Sequence, residues 1–234
     1  MYSFDSRVRY SEIDSSGCLS ITSILNYFQD CSTFHSEDVG VGLSYMQGIN
    51  MLWALSYWQI DVMRYPYLGE KITVSTVPYE FKGFMGSRSF AMYDEEGKML
   101  AVANSVWSLL DKNTFRPCRF TEKMLDAYKV GDAIPMEETS RKITPPASGT
   151  PLENILVTKH HLDTNHHVNN GQYVSITQDM LPQGCRIKRL RAEYKKQALL
   201  GDVFYPVMEN EAGKSLIALN DESGKPYFIA EYLY

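Results

Sequence analysis

The chain has 234 residues, of which 44% are apolar and 22% are charged. These values are typical of a soluble globular protein with a sizeable core, and the length fits one large domain or two fused small ones. The net charge of −5 argues against a protein whose whole surface binds nucleic acid. The cysteines are widely spaced and include no CxxC pair, so neither a zinc site nor a redox motif is indicated.

The first residues and the hydropathy of the chain indicate in which cellular compartment the protein is expected. The opening segment MYSFDSRVRYSEID is polar and lacks the apolar core of an export signal. No run approaches the ~18 uninterrupted apolar residues that a membrane-spanning helix needs. We therefore expect a cytoplasmic protein that binds neither a membrane nor nucleic acid.

The first half of the chain predicts one long helix followed by long strands. An extended stretch covers 3–10, and a helix covers 20–37, capped by Ser20. Its apolar residues recur at helical spacing: Ile21, Ile24, Leu25, Phe28 and Cys31. Strands are predicted over 51–62, 71–81, 87–93 and 99–110.

The second half repeats this order in shorter form. A short helix over 121–128 precedes a proline-rich linker at 130–152, because proline interrupts regular structure. A strand is then predicted over 155–161 and a helix over 168–180. Further strands are predicted over 186–196, 203–209, 216–219 and 227–232.

Three pairs of landmarks indicate an internal duplication. Asp14 matches Asp163, Gly69 matches Gly201, and the Asp94 turn matches the Asp221 turn. The offsets are 149, 132 and 127 residues, so they fall steadily, as insertions in the first copy would require. Each copy would place one helix across a curved antiparallel sheet, and two copies can join their sheet edges. We therefore predict a first domain at 1–129, a linker at 130–152 and a second domain at 153–234.

A dense polar cluster runs from His160 to Tyr173, where a strand is predicted to end and a helix to begin. Backbone N–H groups at a helix start carry partial positive charge and can stabilise an oxyanion. We expect such groups near 168–170. The cluster is therefore well placed for acyl chemistry.

The run Leu162-Asp163-Thr164-Asn165-His166-His167-Val168-Asn169-Asn170 resembles the L-D-x-N-x-H-V-N-N signature of acyl-acyl carrier protein thioesterases, known in plants and bacteria. The stretch at 53–66 is similar to that family's W-x-L-S-x-W-x-I-x-V-x-R-x-P strand, and 193–198 to its E-Y-R-R-E-C strand. The resemblance spans nearly the whole chain. It implies an α+β tandem (double) hotdog fold, with two long helices on one extended curved antiparallel sheet.

The resemblance also implies roles for individual residues. Asp163, Asn165 and His167 fall on the family's active-site residues, Gln197 falls on its proposed water-activating Glu, and Ala198 on a once-proposed nucleophilic Cys. Alanine cannot be a nucleophile, and an amide cannot take a proton near neutral pH. Either Asp163 or His167 would then activate the attacking water, and Asn165 would orient the water or the carbonyl.

Substrate-binding candidates are Trp53, Tyr57 and Asn169. The resemblance implies that the acyl tail lies in the first domain, where Met46, Met51, Trp53, Tyr57 and Phe28 could line a tunnel. Aromatic residues of this kind are more often core, and Asn169 is more often a helix cap.

The first copy places Asp14, Ser16 and Cys18 where the second has Asp163, Asn165 and His167. We expect this copy to be non-catalytic, with Cys18 a buried structural residue rather than a nucleophile. The histidines lack metal-ligand spacing, so neither a metal nor a cofactor is expected.

The implied function is hydrolysis of acyl-acyl carrier protein to free fatty acids, which terminates fatty acid synthesis. A basic run could dock the acidic carrier protein or be an ordinary solvated strand: Arg186, Lys188, Arg189, Arg191, Lys195 and Lys196. Alternatives are an acyl-coenzyme A thioesterase, a hotdog dehydratase or hydratase on β-hydroxyacyl thioesters, and a non-enzymatic acyl-binding module. A monomer or a homodimer is expected, since the duplication already supplies the pairing of two hotdogs.

Overall fold

The computed structural model describes all residues, Met1–Tyr234, in two compact units. The N-terminal unit comprises Met1–Ser56 and Ile60–Glu137. The C-terminal unit comprises Glu138–Tyr234 together with Tyr57–Gln59. The division does not test the predicted domain boundaries at 129 and 153, which stay a prediction.

The N-terminal unit contains one long helix and a five-stranded antiparallel sheet. Its strands follow the order β1-β3-β4-β5-β2. The bounds are β1 Tyr2–Arg7, α1 Ile21–Asp38, α2 Leu43–Gly48, β2 Met51–Val62, β3 Lys71–Lys82, β4 Met85–Tyr93, β5 Met99–Asp111 and α3 Glu122–Ala127.

Helix α1 begins where Ser20 caps it, as predicted, because the Ser20 hydroxyl accepts a hydrogen bond from the Ser23 N–H at 3.1 Å. Its apolar face is buried against the sheet. Phe28 is fully buried and packs on Phe90 of β4, with the ring centroids 5.4 Å apart. Burial of one such side chain stabilises the fold by about 1.5–3 kcal/mol.

The C-terminal unit repeats this plan with shorter elements. Its strands follow the order β8-β11-β10-β9-β6, and β7 also pairs with β9. The bounds are β6 Thr150–Pro151, β7 Ile155–Leu156, α4 Asn170–Gln178, β8 Arg189–Tyr194, β9 Val203–Glu211, β10 Lys214–Asn220 and β11 Pro226–Leu233.

Helix α4 is held on its sheet by aromatic and polar contacts. The Tyr173 ring stacks on Phe228 at 5.2 Å. The Thr177 and Tyr232 hydroxyls share a buried hydrogen bond of 2.6 Å. Both contacts reach β11, so α4 is fixed relative to that strand.

The paired turns found in the sequence also match in the structure. The Asp94 N–H donates to the Lys98 carbonyl at 3.0 Å, and the Asp221 N–H donates to the Lys225 carbonyl at 2.8 Å. The two Gly-containing turns at 69 and 201 match as well. The Val8 N–H donates to the Glu70 carbonyl at 2.9 Å, as Val157 does to Asp202 at 2.8 Å.

One predicted strand was wrong, and one predicted helix starts later than expected. The strand predicted over 155–161 ends at Leu156, because 159–161 forms a 3-10 turn that follows Thr158. The helix predicted from 168 begins at Asn170. Helix α2 and the short strand β6, which lies inside the predicted linker, were not predicted, and most other ends differ from prediction by one to three residues.

The proline-rich segment contains no helix or strand over 130–149 but is not simply solvated. Ile134 packs in a buried cluster with Val77, Ala91 and Val102 of the N-terminal unit. Ile143 packs with a different cluster in the C-terminal unit. None of the helices combines the length and the apolar composition that spanning a membrane would require.

Candidate active site

The polar cluster forms a tight loop, Leu162–Val168, which we call the C-loop. Its ends pair as an antiparallel bridge. The Asp163 N–H donates to the His167 carbonyl at 2.8 Å, and the His166 N–H donates to the Asp163 carbonyl at 3.1 Å. His166 adopts a left-handed conformation with a φ of 63°, which closes the loop.

The Asp163 carboxylate holds this loop together from inside. Its Oδ1 accepts hydrogen bonds from the Asn165 N–H at 2.8 Å and from the His167 N–H at 3.2 Å. Such side-chain to backbone bonds are the usual way in which Asp fixes a turn. Asp163, Asn165 and His167 are therefore brought together in one loop, and each is only half-buried.

Backbone pairing brings the segment of Gln197 beside the C-loop. The Val168 N–H donates to the Ala198 carbonyl at 3.0 Å, and His167 forms a bridge with Leu199. The Ala198 N–H in turn donates to the Tyr173 hydroxyl at 3.0 Å. Gln197 is exposed next to these contacts.

Asn169 caps helix α4. Its side-chain oxygen accepts a hydrogen bond from the Gly171 N–H at 2.8 Å, which confirms the cap that the sequence indicated. Contact of Asn169 with a substrate stays a prediction. Because its side chain satisfies the helix start, Asn169 holds α4 directly behind the C-loop.

The prediction that the backbone N–H groups of residues 168 and 169 are free to stabilise an oxyanion was wrong. The Val168 N–H is bonded to Ala198, and the Asn169 N–H donates to the His161 carbonyl at 2.8 Å. The reason is that α4 starts only at Asn170, so these two N–H groups belong to the loop rather than to the free helix end. The Asn165 side chain is half-buried in the same loop.

Burial changes the pKa of His167, the histidine at the end of the C-loop. It lowers the pKa of His167 below its ordinary value of 6.5, and the Asp163 charge opposes the shift. The net lowering keeps the imidazole neutral at pH 7. A neutral imidazole has a lone pair that can take a proton.

The other histidines of the cluster have structural surroundings. His161 is buried in the 3-10 turn, and its Nδ1 accepts from the Thr158 N–H at 3.1 Å. His160 is exposed, and its ring lies tilted at 58° against that of His161, with ring centroids 4.0 Å apart. No group of three or more His, Cys, Asp or Glu side chains is arranged to hold a metal ion.

The N-terminal unit contains the counterpart of the C-loop at Ile13–Leu19, which we call the N-loop. Its ends form the same bridge. Asp14 Oδ1 accepts from the Ser16 N–H at 2.8 Å. Cys18 stands at the position of His167 and is 1% exposed. A thiol so enclosed does not meet a substrate, which supports the structural role predicted for it.

A cavity of about 130 Å³ lies in the N-terminal unit. Trp53, one of the predicted substrate-binding residues, is on its wall. Met46 packs beside it, in the cluster that contains Tyr128, and Phe28 belongs to the core under α1. The remaining walls were not predicted from the sequence: Ser32, Thr33, Ser36, Pro78, Phe81, Gly86, Ser87, Arg88, Trp107 and Tyr128.

One signal could have indicated this cavity. Arg88 is the only charged residue in the strand MGSRSFAMY, and a lone charge in a buried strand is informative.

Tyr57 belongs to the C-terminal unit and is buried. Its hydroxyl shares a hydrogen bond of 3.0 Å with Thr139 and receives one of 3.4 Å from the Arg191 Nε. Protein groups therefore satisfy this hydroxyl. Contact of Tyr57 with a substrate stays a prediction.

The basic run of the second half is largely neutralised. Arg191 pairs with Glu231 at 2.6 Å, and Lys196 pairs with Asp221 at 3.4 Å. Lys195 contacts Glu193. Of the other residues in the run, Arg186 and Lys188 are exposed and Arg189 is half-buried.

Comparison with known proteins shows which family this chain resembles. The sequence model of the acyl-ACP thioesterase N-terminal domain matches residues 1–128, and that of the C-terminal domain matches 150–225. An acyl-[acyl-carrier-protein] hydrolase of Cuphea viscosissima is 29% identical over 72% of this chain and 44% of its own length. A palmitoyl-acyl carrier protein thioesterase of Arabidopsis thaliana is 26% identical over 81% of this chain and 50% of its own length.

The chain thus spans about half the length of these two curated relatives. An acyl-ACP thioesterase of Bacteroides thetaiotaomicron superposes with a TM-score of 0.90 at 24% identity, over 99% of this chain and 96% of the other. That likeness confirms the tandem hotdog fold. The first family model alone covers more than half of the chain, so this protein belongs to the acyl-ACP thioesterase family.

Proposed function

We propose that this protein hydrolyses fatty acyl thioesters of acyl carrier protein and releases free fatty acids, which terminates fatty acid synthesis. The observation that carries the proposal is the C-loop, which groups a neutral imidazole, a carboxylate and a side-chain amide on one rigid turn. Both of these curated relatives are named as hydrolases or thioesterases of acyl carrier protein. The cytoplasmic location and the monomeric or homodimeric state stay predictions.

His167 is the general base in this scheme. Its neutral imidazole takes a proton from water, and the oxygen of that water attacks the thioester carbonyl carbon. The tetrahedral intermediate then collapses, the carbon–sulfur bond breaks, and the proton passes to the departing thiolate. The products are a free carboxylic acid and a carrier thiol.

Asp163 acts mainly by position. One of its carboxylate oxygens already holds the Asn165 and His167 N–H groups, and its charge favours the imidazolium that forms during reaction. Asn165 would donate from its side-chain amide to the carbonyl oxygen as negative charge develops there. Gln197 would hydrogen-bond the water without taking a proton.

The N-terminal unit would receive part of the acyl substrate. Trp53 supports this assignment because it lies on the wall of the cavity. The cavity is small, so its lining would influence which chains are accepted. Arg186 and Lys188 are exposed and would contribute positive charge to carrier protein docking.

The test is thiol release from a panel of acyl chains carried on acyl carrier protein and on coenzyme A. We expect turnover on both carriers, with higher kcat/KM on the carrier protein. His160→Ala is a matched control, because His160 is an exposed neighbour outside the C-loop. Equal loss of activity in His160→Ala and His167→Ala, or no thiol release from any thioester, would contradict the proposal.

A further inference from the structure

Arg88 is a buried cation without an acidic partner. The residue is 8% exposed and lines the cavity of the N-terminal unit. Burial lowers the pKa of Arg88 to about 10, so the guanidinium is still charged at neutral pH. A charge enclosed in this way is costly unless something compensates it.

The protein groups around this guanidinium are all neutral. Its Nη1 lies 2.9 Å from His35 Nδ1 and 3.4 Å from the Thr76 hydroxyl. The Tyr128 ring lies under the guanidinium at 5.3 Å. Burial and the Arg88 charge lower the pKa of His35 to about 4, so His35 is a neutral acceptor here.

The rest of the cavity wall carries no negative charge either. Its residues are aromatic, small or hydroxylated, and none is Asp or Glu. The hydroxyls of Ser36 and Tyr128 are occupied with each other at 2.7 Å. A purely hydrocarbon occupant would therefore leave the cation dehydrated and without a counter-charge.

We propose that this cavity binds the carboxylate of a short aliphatic chain, with Arg88 as the anion-binding residue. A carboxylate matches the planar fork of a guanidinium and forms charge-assisted hydrogen bonds with it. The aromatic walls formed by Trp53, Phe81 and Trp107 suit the attached methylene groups. A cavity of about 130 Å³ is close to one that holds benzene, so a chain of about six carbons fits with its carboxylate at Arg88.

Two sources can supply such a group. One is a free fatty acid, and the other is the distal carboxylate of a dicarboxylic acyl thioester. The choice between them rests on the proposed thioesterase function, whereas carboxylate binding itself does not.

The binding experiment is a fluorescence titration of the whole chain. Trp53 and Trp107 both line the cavity, so an occupant will change their emission. We expect hexanoate to give a saturable change and hexanol to bind at least ten-fold more weakly. Arg88→Met should reduce hexanoate affinity at least ten-fold, and Lys71→Met, which removes an exposed cation, should not change it.

Thermal unfolding separates this role from a structural one. Replacing an uncompensated buried charge by an apolar side chain of similar length is often neutral or stabilising. We therefore expect Arg88→Met to melt at or above the wild-type temperature. Equal affinity of the wild type for hexanoate and hexanol would overturn the proposal, even if Arg88→Met fails to fold.

Turnover then identifies the source of the carboxylate. Hydrolysis of adipoyl and hexanoyl thioesters is compared in the wild type and in Arg88→Met. A preference for adipoyl that disappears in Arg88→Met indicates the distal carboxylate, and equal rates with saturable hexanoate binding indicate the free acid. Absence of turnover on both thioesters would refute the proposed function and leave the titration result standing.

Discussion

The N-loop and the C-loop have nearly the same backbone and different side chains. In the N-loop the Asp14 N–H donates to the Cys18 carbonyl at 2.8 Å, and in the C-loop Asp163 donates to His167 at the same distance. Both aspartates use Oδ1 to hold the N–H group two residues later, at 2.8 Å. The aspartate is therefore a turn-forming residue in both copies.

The copies differ at the positions that would do chemistry. Ser16 and Cys18 of the N-loop stand where the C-loop has Asn165 and His167. Cys18 is enclosed, whereas His167 is only half-buried. Since the aspartate is common to both loops, it cannot by itself account for an active site in one of them. This favours the proposed role of His167, rather than Asp163, in water activation.

The largest effect is expected from removing the imidazole. His167→Ala should lower kcat about 10²–10⁴-fold, the usual contribution of a general base. Cys18→Ala is the mirrored change in the N-loop and should leave kcat within about two-fold. Steady-state thiol release on one acyl-carrier thioester measures both. A comparable loss of kcat in the two variants would refute the assignment of catalysis to the C-loop alone.

A smaller effect is expected at the shared aspartate. Asp163→Asn keeps an oxygen that can accept the loop N–H groups, so we expect the turn to persist and kcat to fall about ten-fold. Asp14→Asn should change only stability, by about 0.5–1.5 kcal/mol. Denaturant unfolding and turnover are measured on both variants. A loss of 10³-fold or more in a folded Asp163→Asn would identify Asp163 as the base instead.

The pH profile tests the same assignment through the His167 pKa. A base must be deprotonated, so activity should be full above that pKa and decline as the pH falls through it, at a value below 6.5. The Asp163 charge raises the pKa of His167, so Asp163→Asn should move the decline to lower pH. If Asp163 were the base, the variant would lose this inflection altogether.

Much of this comparison could be predicted from the sequence because it depends on local chemistry. The Asp14 and Asp163 matches, the Ser20 cap and the 51–62 strand follow from short-range patterns, and the structure has all of them. The oxyanion donors could not be predicted, since they depend on whether the helix starts at 168 or 170. Two residues at an element end are below the resolution of pattern analysis.

The cavity was harder to predict for a different reason. Phe81 and Arg88 share a hairpin, but Trp107 and Tyr128 come from later in the chain and join them only through strand register and the position of α3. The sequence indicated Trp53 because it belongs to a family-like strand. Long-range contacts of this kind carry no signature in a single sequence beyond the lone charge of Arg88.

The smallest effect concerns the left-handed residue that closes each loop. The N-loop uses Gly17 with a φ of 77°, whereas the C-loop uses His166 with a φ of 63°. A side chain in this conformation costs about 1–2 kcal/mol, which glycine avoids. Gly17→Ala should therefore destabilise the chain by about 1 kcal/mol, since no atom lies within 4 Å of the added Cβ to change that cost.

The mirrored change, His166→Gly, should relieve the conformational cost in the C-loop. Glycine also increases the entropy of the unfolded chain, so we expect a net change between zero and about 1 kcal/mol in favour of folding. Turnover should stay within about two-fold, because the exposed His166 contributes a backbone shape that glycine adopts freely. Denaturant midpoints of Gly17→Ala and His166→Gly, measured beside the wild type, show whether each variant is more or less stable. A large loss of turnover in a fully folded His166→Gly would show that strain at this position, absent from the N-loop, is part of how the C-loop works.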